Sequence, residues 1–108
     1  MSQEMTEEEL NKAFIQIADA HIDLANKQLD SLDMHIVSSG LLYGASRFEA
    51  FTVASVAKNL QEYEASLEGA VEHYTELFRS MLQENLENYK SSFAQREAPR
   101  YEHLMKKQ

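Results

Sequence analysis

The sequence predicts an all-α fold, an antiparallel bundle of three helices with a long third helix. Apolar residues recur every three or four positions along three stretches, and no stretch alternates as a β-strand does. One Pro and three Gly leave few points at which a helix would be interrupted. The third helix exceeds the other two by about a third of its length. Its uncovered apolar strip predicts assembly as a homodimer.

The first helix is predicted over about residues 7–30. Thr6 is a good N-cap, and Glu9, three positions later, can complete a capping box. At 3.6 residues per turn, this segment gathers its apolar side chains on one broad face and most charged side chains on the other. The apolar face consists of Leu10, Phe14, Ile17, Ala18, His21, Ile22, Ala25 and Leu29.

The second helix is predicted over about residues 35–57. Its apolar arc is very wide, which is typical of the central and most buried helix of a bundle. Gly40 and Gly44 lie one turn apart on this helix, and each costs about 1 kcal/mol of helix propensity relative to Ala. We expect these glycines to allow close approach of another helix or an aromatic ring, with a ligand groove as the alternative.

The third helix is predicted over about residues 60–94, with Asn59 as its N-cap and a helix continuous with the second as the alternative. Roughly 35 residues of helix would span about 50 Å. We expect residues 60–77 to complete the core of the monomer. The apolar pattern then shifts by one position, and the shifted end is predicted to contact a second copy or another protein. This predicted interface consists of Met81, Leu82, Leu86, Tyr89 and Phe93.

The length of 108 residues fits one domain, predicted over residues 1–95. Beyond this range the apolar pattern fades, and Pro99 is incompatible with the interior of a helix. Residues 96–108 are therefore predicted to form a flexible tail. The tail carries four basic and two acidic residues, whereas residues 1–95 carry six basic and sixteen acidic ones.

The acidic composition argues against partners that carry negative charge. A net charge of −8 repels the phosphates of nucleic acids and anionic lipids, so we expect neither nucleic acid nor membrane as a partner. The N-terminal residues lack the basic and apolar regions of a signal peptide, and no cysteine is present to form a disulfide. These features predict a cytoplasmic protein.

Several polar residues fall on or beside the apolar faces of the helices. Arg47 lies among aromatic residues, so its charge must be paired or must reach solvent. One interpretation is a structural ion pair between helices, and the alternative is a site for an anionic ligand held by Arg47, Tyr43 and Asn85 beside Gly40 and Gly44. The candidate interhelical polar cluster consists of Asn26, Tyr43, Arg47, Glu84 and Asn85.

The sequence contains no pattern typical of catalysis. Asp19 and Asp23 are spaced as a carboxylate pair, but they fall on the solvent side of the first helix. His21 falls on the apolar side, where a hydrogen-bonded core histidine is the expected role. We find no catalytic residue, metal ligand set or cofactor motif, and expect that the protein is not an enzyme and has no cofactor. A structural or protein-interaction module is the predicted class, and a small-molecule anion-binding module is the alternative.

Three segments resemble a family of short, mainly proteobacterial proteins known only as a domain of unknown function. They are residues 18–26, residues 43–51 with the pattern Tyr-x-Ala-x-Arg-Phe, and residues 81–89 with the pattern Met-Leu-x-Glu-Asn-Leu. The resemblance covers about residues 14–90. It implies a helix boundary near Asn59 and carries no activity, ligand or cofactor.

Overall fold

The computed structural model of the protein describes residues 4–96. This part of the chain is helical and contains no strand, which confirms the all-α class. By contacts, the chain divides into a first unit, Met1–Thr52, and a second unit, Val53–Gln108, and each is described separately. The helices are α1, Glu7–Gln28; α2, Met34–Val56; α3, Leu60–Asn88; and a short α4, Lys90–Arg96.

In the first unit, α1 begins with the predicted capping box. The backbone N–H of Glu9 donates to Oγ1 of Thr6 at 3.0 Å, and the Thr6 N–H donates to Oε1 of Glu9 at 2.9 Å. Acidic residues in the first turn and Lys27 in the last turn complement the helix dipole. The helix ends at Gln28, two residues before the predicted end, where the following residues form turns with short-range backbone bonds.

Asp33 determines where α2 begins, because its carboxylate accepts a hydrogen bond from the His35 N–H at 2.9 Å. Among the residues that the structure describes, Val37 of this helix is the one that is buried, with 7% of its surface exposed. The sequence also predicts that α2 is the most buried helix, yet most of its large apolar side chains are exposed. They are Met34, Ile36, Leu41, Leu42, Tyr43, Phe48, Phe51 and Val56.

In the second unit, α3 begins at Leu60 with a second local cap. Oδ1 of Asn59 accepts from the Glu62 N–H at 2.8 Å, and the Glu62 carboxylate accepts from the Lys58 N–H. Asn59 itself is extended, with φ −159° and ψ 174°. The N-cap prediction is therefore confirmed, and the alternative of one continuous second and third helix is wrong.

The predicted helix over 60–94 is divided at Tyr89 into α3 and α4. The Tyr89 N–H is shared between the carbonyls of Asn85 and Leu86, with N···O distances of 3.3 and 3.2 Å. Such sharing is common at helix ends, and Tyr89 keeps right-handed helical angles of −79° and −7°. The Phe93 N–H then donates to the Tyr89 carbonyl at 3.1 Å, so the interruption is a single residue.

The described residues do not test two predictions about how the helices pack and assemble. Antiparallel packing of the three long helices stays a prediction, as does assembly as a homodimer. The predicted flexible tail, residues 96–108, lies outside the described residues after Arg96.

Replacing Thr6 by Ala removes one half of the capping box and leaves the Glu9 N–H without its side-chain partner. We expect the free energy of unfolding to fall by about 1 kcal/mol, measured by urea denaturation at one fixed protein concentration. Thr75→Ala is the matched control, because Thr75 is an exposed residue inside α3. Equal destabilisation by the two substitutions would show that the cap contributes nothing specific.

Candidate interaction surface

The C-terminal part of α3 and the short α4 present five large apolar side chains to solvent. Leu82, Leu86, Tyr89 and Phe93 follow one another at spacings of four, three and four, so they lie on one side of the helix. We call the five residues the C-terminal apolar surface. They are Met81 (42% exposed), Leu82 (42%), Leu86 (61%), Tyr89 (61%) and Phe93 (53%).

Covering this surface with another apolar surface would contribute a large favourable free energy. Complete burial of one Leu, Phe or Met side chain contributes about 1.5–3 kcal/mol, and these side chains are roughly half exposed. A monomeric soluble protein rarely exposes a contiguous strip of such residues unless the strip binds something. The five side chains are thus accessible in the second unit, and their contact with another chain stays a prediction.

Asn85 lies within this surface, and its side chain is bound to its own helix. The Nδ2 group donates to the Met81 carbonyl at 3.0 Å. This bond occupies one of the two amide hydrogens, so the side chain retains a donor and an acceptor for further contacts. The neighbouring Glu84 is exposed.

The other members of the predicted polar cluster lie in the first unit. Tyr43 and Arg47 are one turn apart on α2, and Asn26 is on α1; all three are exposed. Within the described residues of this unit, no hydrogen bond or ion pair joins them to one another. The Asn26, Tyr43, Arg47, Glu84 and Asn85 cluster as a whole stays a prediction.

The space beside the two α2 glycines is open. Apart from the adjacent residues and the helix's own backbone, no described atom of the first unit lies within 4 Å of a Cβ placed at Gly40 or Gly44. The close approach expected at these positions is therefore not found within this unit. His21 is also exposed, and its Nδ1 donates to the Ile17 carbonyl at 2.8 Å, so it is hydrogen-bonded as expected but is not a core residue.

An acidic edge on α3 was not among the sites predicted from the sequence. Four glutamates, named below, follow one another at spacings of four, which places them along one side of the helix. Like charges at this spacing destabilise a helix by about 0.2–0.5 kcal/mol per pair. The recurrence of Glu every four residues is the sequence pattern that indicates this edge. One described cation pairs with this edge: Nε of Arg79 lies 3.6 Å from Oε1 of Glu76, and both side chains are exposed. The acidic edge consists of Glu64, Glu68, Glu72 and Glu76.

The described residues offer no clear site for chemistry. Between residues 4 and 96, no group of three or more His, Asp or Glu side chains is placed to hold a metal ion. Over the same range, no helix combines the length and the hydropathy needed to cross a membrane. The C-terminal apolar surface, the acidic edge and Arg47 are exposed and can contact another molecule.

Comparison with known proteins gives a family and no activity. No curated protein and no solved structure matches the chain. A family model matches residues 14–90, which include α2 and α3 in full and most of α1. Because the match covers more than half of the 108 residues, the chain belongs to the family described as protein of unknown function (DUF3144).

Proposed function

We propose that this protein is a structural or protein-interaction module that acts through helix–helix association and assembles as a homodimer. The observation that carries the proposal is the exposure of the C-terminal apolar surface, Met81, Leu82, Leu86, Tyr89 and Phe93. A helix presenting one apolar side is a common unit of association, because a second helix covers that side without changing the fold of either chain.

A second copy is the proposed occupant. Two identical helices can place the same apolar side against each other about a two-fold axis, and dimers of this symmetry are the most common soluble oligomers. In the assembled state, we propose, the three long helices form an antiparallel bundle. The exposed apolar side chains of α1 and α2, among them Phe14, Ile17 and Leu41, support this bundle because it would bury them.

The other properties proposed for the protein come from its composition. We propose a cytoplasmic bacterial protein that is not an enzyme and that binds neither nucleic acid nor membrane. The net charge of −8 supports the last point, because it opposes binding to polyanions and anionic lipid. The family described above assigns no reaction, so the proposal contains none.

Leu86→Asp combined with Tyr89→Asp tests the proposed dimer surface. We expect assembly to weaken by at least tenfold while helix content changes little, because both side chains are exposed in the chain and two charges resist burial. Light scattering at tens of micromolar measures the mass, and circular dichroism measures the helix content.

Gln83→Asp combined with Asn88→Asp is the matched control, since it adds the same two charges to α3 without removing an apolar side chain. The control should assemble like the wild type. Unchanged assembly of the Leu86 and Tyr89 variant would remove this surface from the proposal, and a monomeric wild type at tens of micromolar would refute the homodimer.

A second candidate function is binding of a small anion by Arg47. The supporting observation is that this guanidinium has no carboxylate partner among the described residues, and that the Tyr43 hydroxyl is on the same helix one turn before it. A planar guanidinium with a nearby hydroxyl donor suits a carboxylate or phosphate ligand.

Native mass spectrometry of the protein purified from its host tests this candidate. We expect the wild type to retain an anionic small molecule, and Arg47→Met to lose it with unchanged helix content. Arg47→Lys is the control for geometry, because it keeps the charge but loses the two parallel donors, so it should retain less ligand than the wild type. A wild type without a bound molecule would refute anion binding.

A further inference from the structure

Among the described residues, the acidic edge of α3 has a positive partner at one end only. Glu64, Glu68 and Glu72 form no ion pair with any described residue, and Arg79 reaches Glu76 alone. Repulsion among four aligned carboxylates favours any arrangement that brings cations beside them. The edge therefore indicates the charge of the surface that would cover it.

Exposed apolar residues accompany this acidic edge. Val71 follows Glu68 by three positions and Glu64 by seven, so these residues occupy neighbouring rows of the helix surface. Phe78 follows Val71 by two further turns, and 66% of Val71 and 48% of Phe78 are exposed. A segment that covers this part of α3 should therefore combine apolar residues with basic ones.

The end of this same chain has that composition. Residues 97–108 contain Arg100, Lys106 and Lys107 together with Tyr101, Leu104 and Met105, against two glutamates. They lie outside the described residues and directly follow α4, which ends at Arg96. The net positive charge and apolar content of this basic segment are complementary to the acidic edge and to Val71 and Phe78.

An antiparallel dimer places the basic segment of one copy at the acidic edge of the other. The midpoint of the C-terminal apolar surface, Met81 to Phe93, is position 87. A two-fold axis at this position places Arg96 of one copy opposite Phe78 of the other, two positions from Glu76. The acidic edge spans 12 positions, or about 18 Å of helix, and a chain of 12 residues reaches at most about 40 Å. The basic segment is therefore long enough to follow the whole edge.

The alternative orientation is electrostatically unfavourable. In a parallel pair, each acidic edge would lie beside the acidic edge of the second copy, which costs free energy through like-charge repulsion. The C-terminal apolar surface alone also exposes only on the order of 500 Å², if each large side chain is roughly half exposed. Stable interfaces bury about 800 Å² per partner, so a further contact is needed.

We propose that two copies pair α3 antiparallel, and that the basic segment, residues 97–108, of each copy binds the acidic edge and adjacent apolar residues of the other. This inference rests on the homodimer proposed above and adds its orientation, its second contact and the role of the basic segment. Each dimer contains the contact twice, because the two-fold axis repeats it.

Charge exchange tests the contact. Glu68→Lys with Glu72→Lys should raise the dimer dissociation constant roughly tenfold at low salt, as should Lys106→Glu with Lys107→Glu. All four substitutions in one chain should restore the wild-type constant to within about threefold, since the ion pairs reform with reversed signs. Sedimentation equilibrium gives these constants, and the differences should shrink at high salt.

Asp19→Lys with Asp23→Lys is the matched control, because it makes the same change in charge at the same spacing on α1. It should leave the dissociation constant within about threefold of the wild type. Absence of recovery in the four-substitution chain would refute the proposed contact. If the wild type is a dimer but none of the charge variants changes its constant, this inference fails while the homodimer stands.

Disulfide trapping tests the orientation, and the lack of native cysteine makes it unambiguous. In the antiparallel pair, residue 103 of one copy can reach residue 71 of the other, because each lies seven positions beyond the level at which Arg96 and Phe78 face each other. A mixture of Val71→Cys chains with His103→Cys chains should form the mixed disulfide in preference to either symmetric one. Predominant Val71→Cys homodisulfide would show a parallel pair. In a chain that carries both Val71→Cys and His103→Cys, an intrachain disulfide without dimers would show that the basic segment binds its own chain. A parallel pair and an intrachain contact would each overturn the proposal.

Discussion

The main constraint on this chain is that the apolar sides of its three long helices gain free energy when they are covered. Most of these side chains are exposed within the described residues. Local interactions define each helix: Thr6 and Asn59 cap α1 and α3, and Asp33 caps the start of α2. Such caps contribute about 1 kcal/mol each and specify where a helix begins, but helices in proteins draw most of their stability from the packing of an apolar face. Within the described residues, Val37 is the one buried residue, and 7% of its surface is still exposed. We propose that the chain buries the other apolar side chains by associating with a second copy.

In the second unit, the arrangement of charge favours one orientation of the proposed dimer over the other. The acidic edge lies on α3, and the C-terminal apolar surface follows it along the end of α3 and the short α4 without overlapping it. An antiparallel pair can therefore bury the first without bringing the two acidic edges together. In the proposed dimer, apolar burial would supply most of the stabilisation, and the glutamates would mainly discriminate between orientations, because exposed ion pairs contribute only about 0–1 kcal/mol each.

Sequence reasoning succeeded where the determining contacts are local. The Thr6 capping box and the Asn59 cap each involve residues three positions apart, so their chemistry can be read from the sequence. The division at Tyr89 could not be predicted, since it depends on one N–H shared between two carbonyls and involves no Gly or Pro. The polar cluster around Arg47 required distances between separate helices, which periodicity does not provide. The acidic edge, by contrast, was visible as a spacing of four.

The central claim is that the chain associates with a second copy of itself through its exposed apolar helix surface. Sedimentation equilibrium of the full-length wild-type chain, over about 1–100 µM, tests this most directly because it measures mass without reference to shape. We expect the mass to rise with concentration from 12.4 kDa to twice that value. A constant mass of 12.4 kDa over the whole range would contradict it.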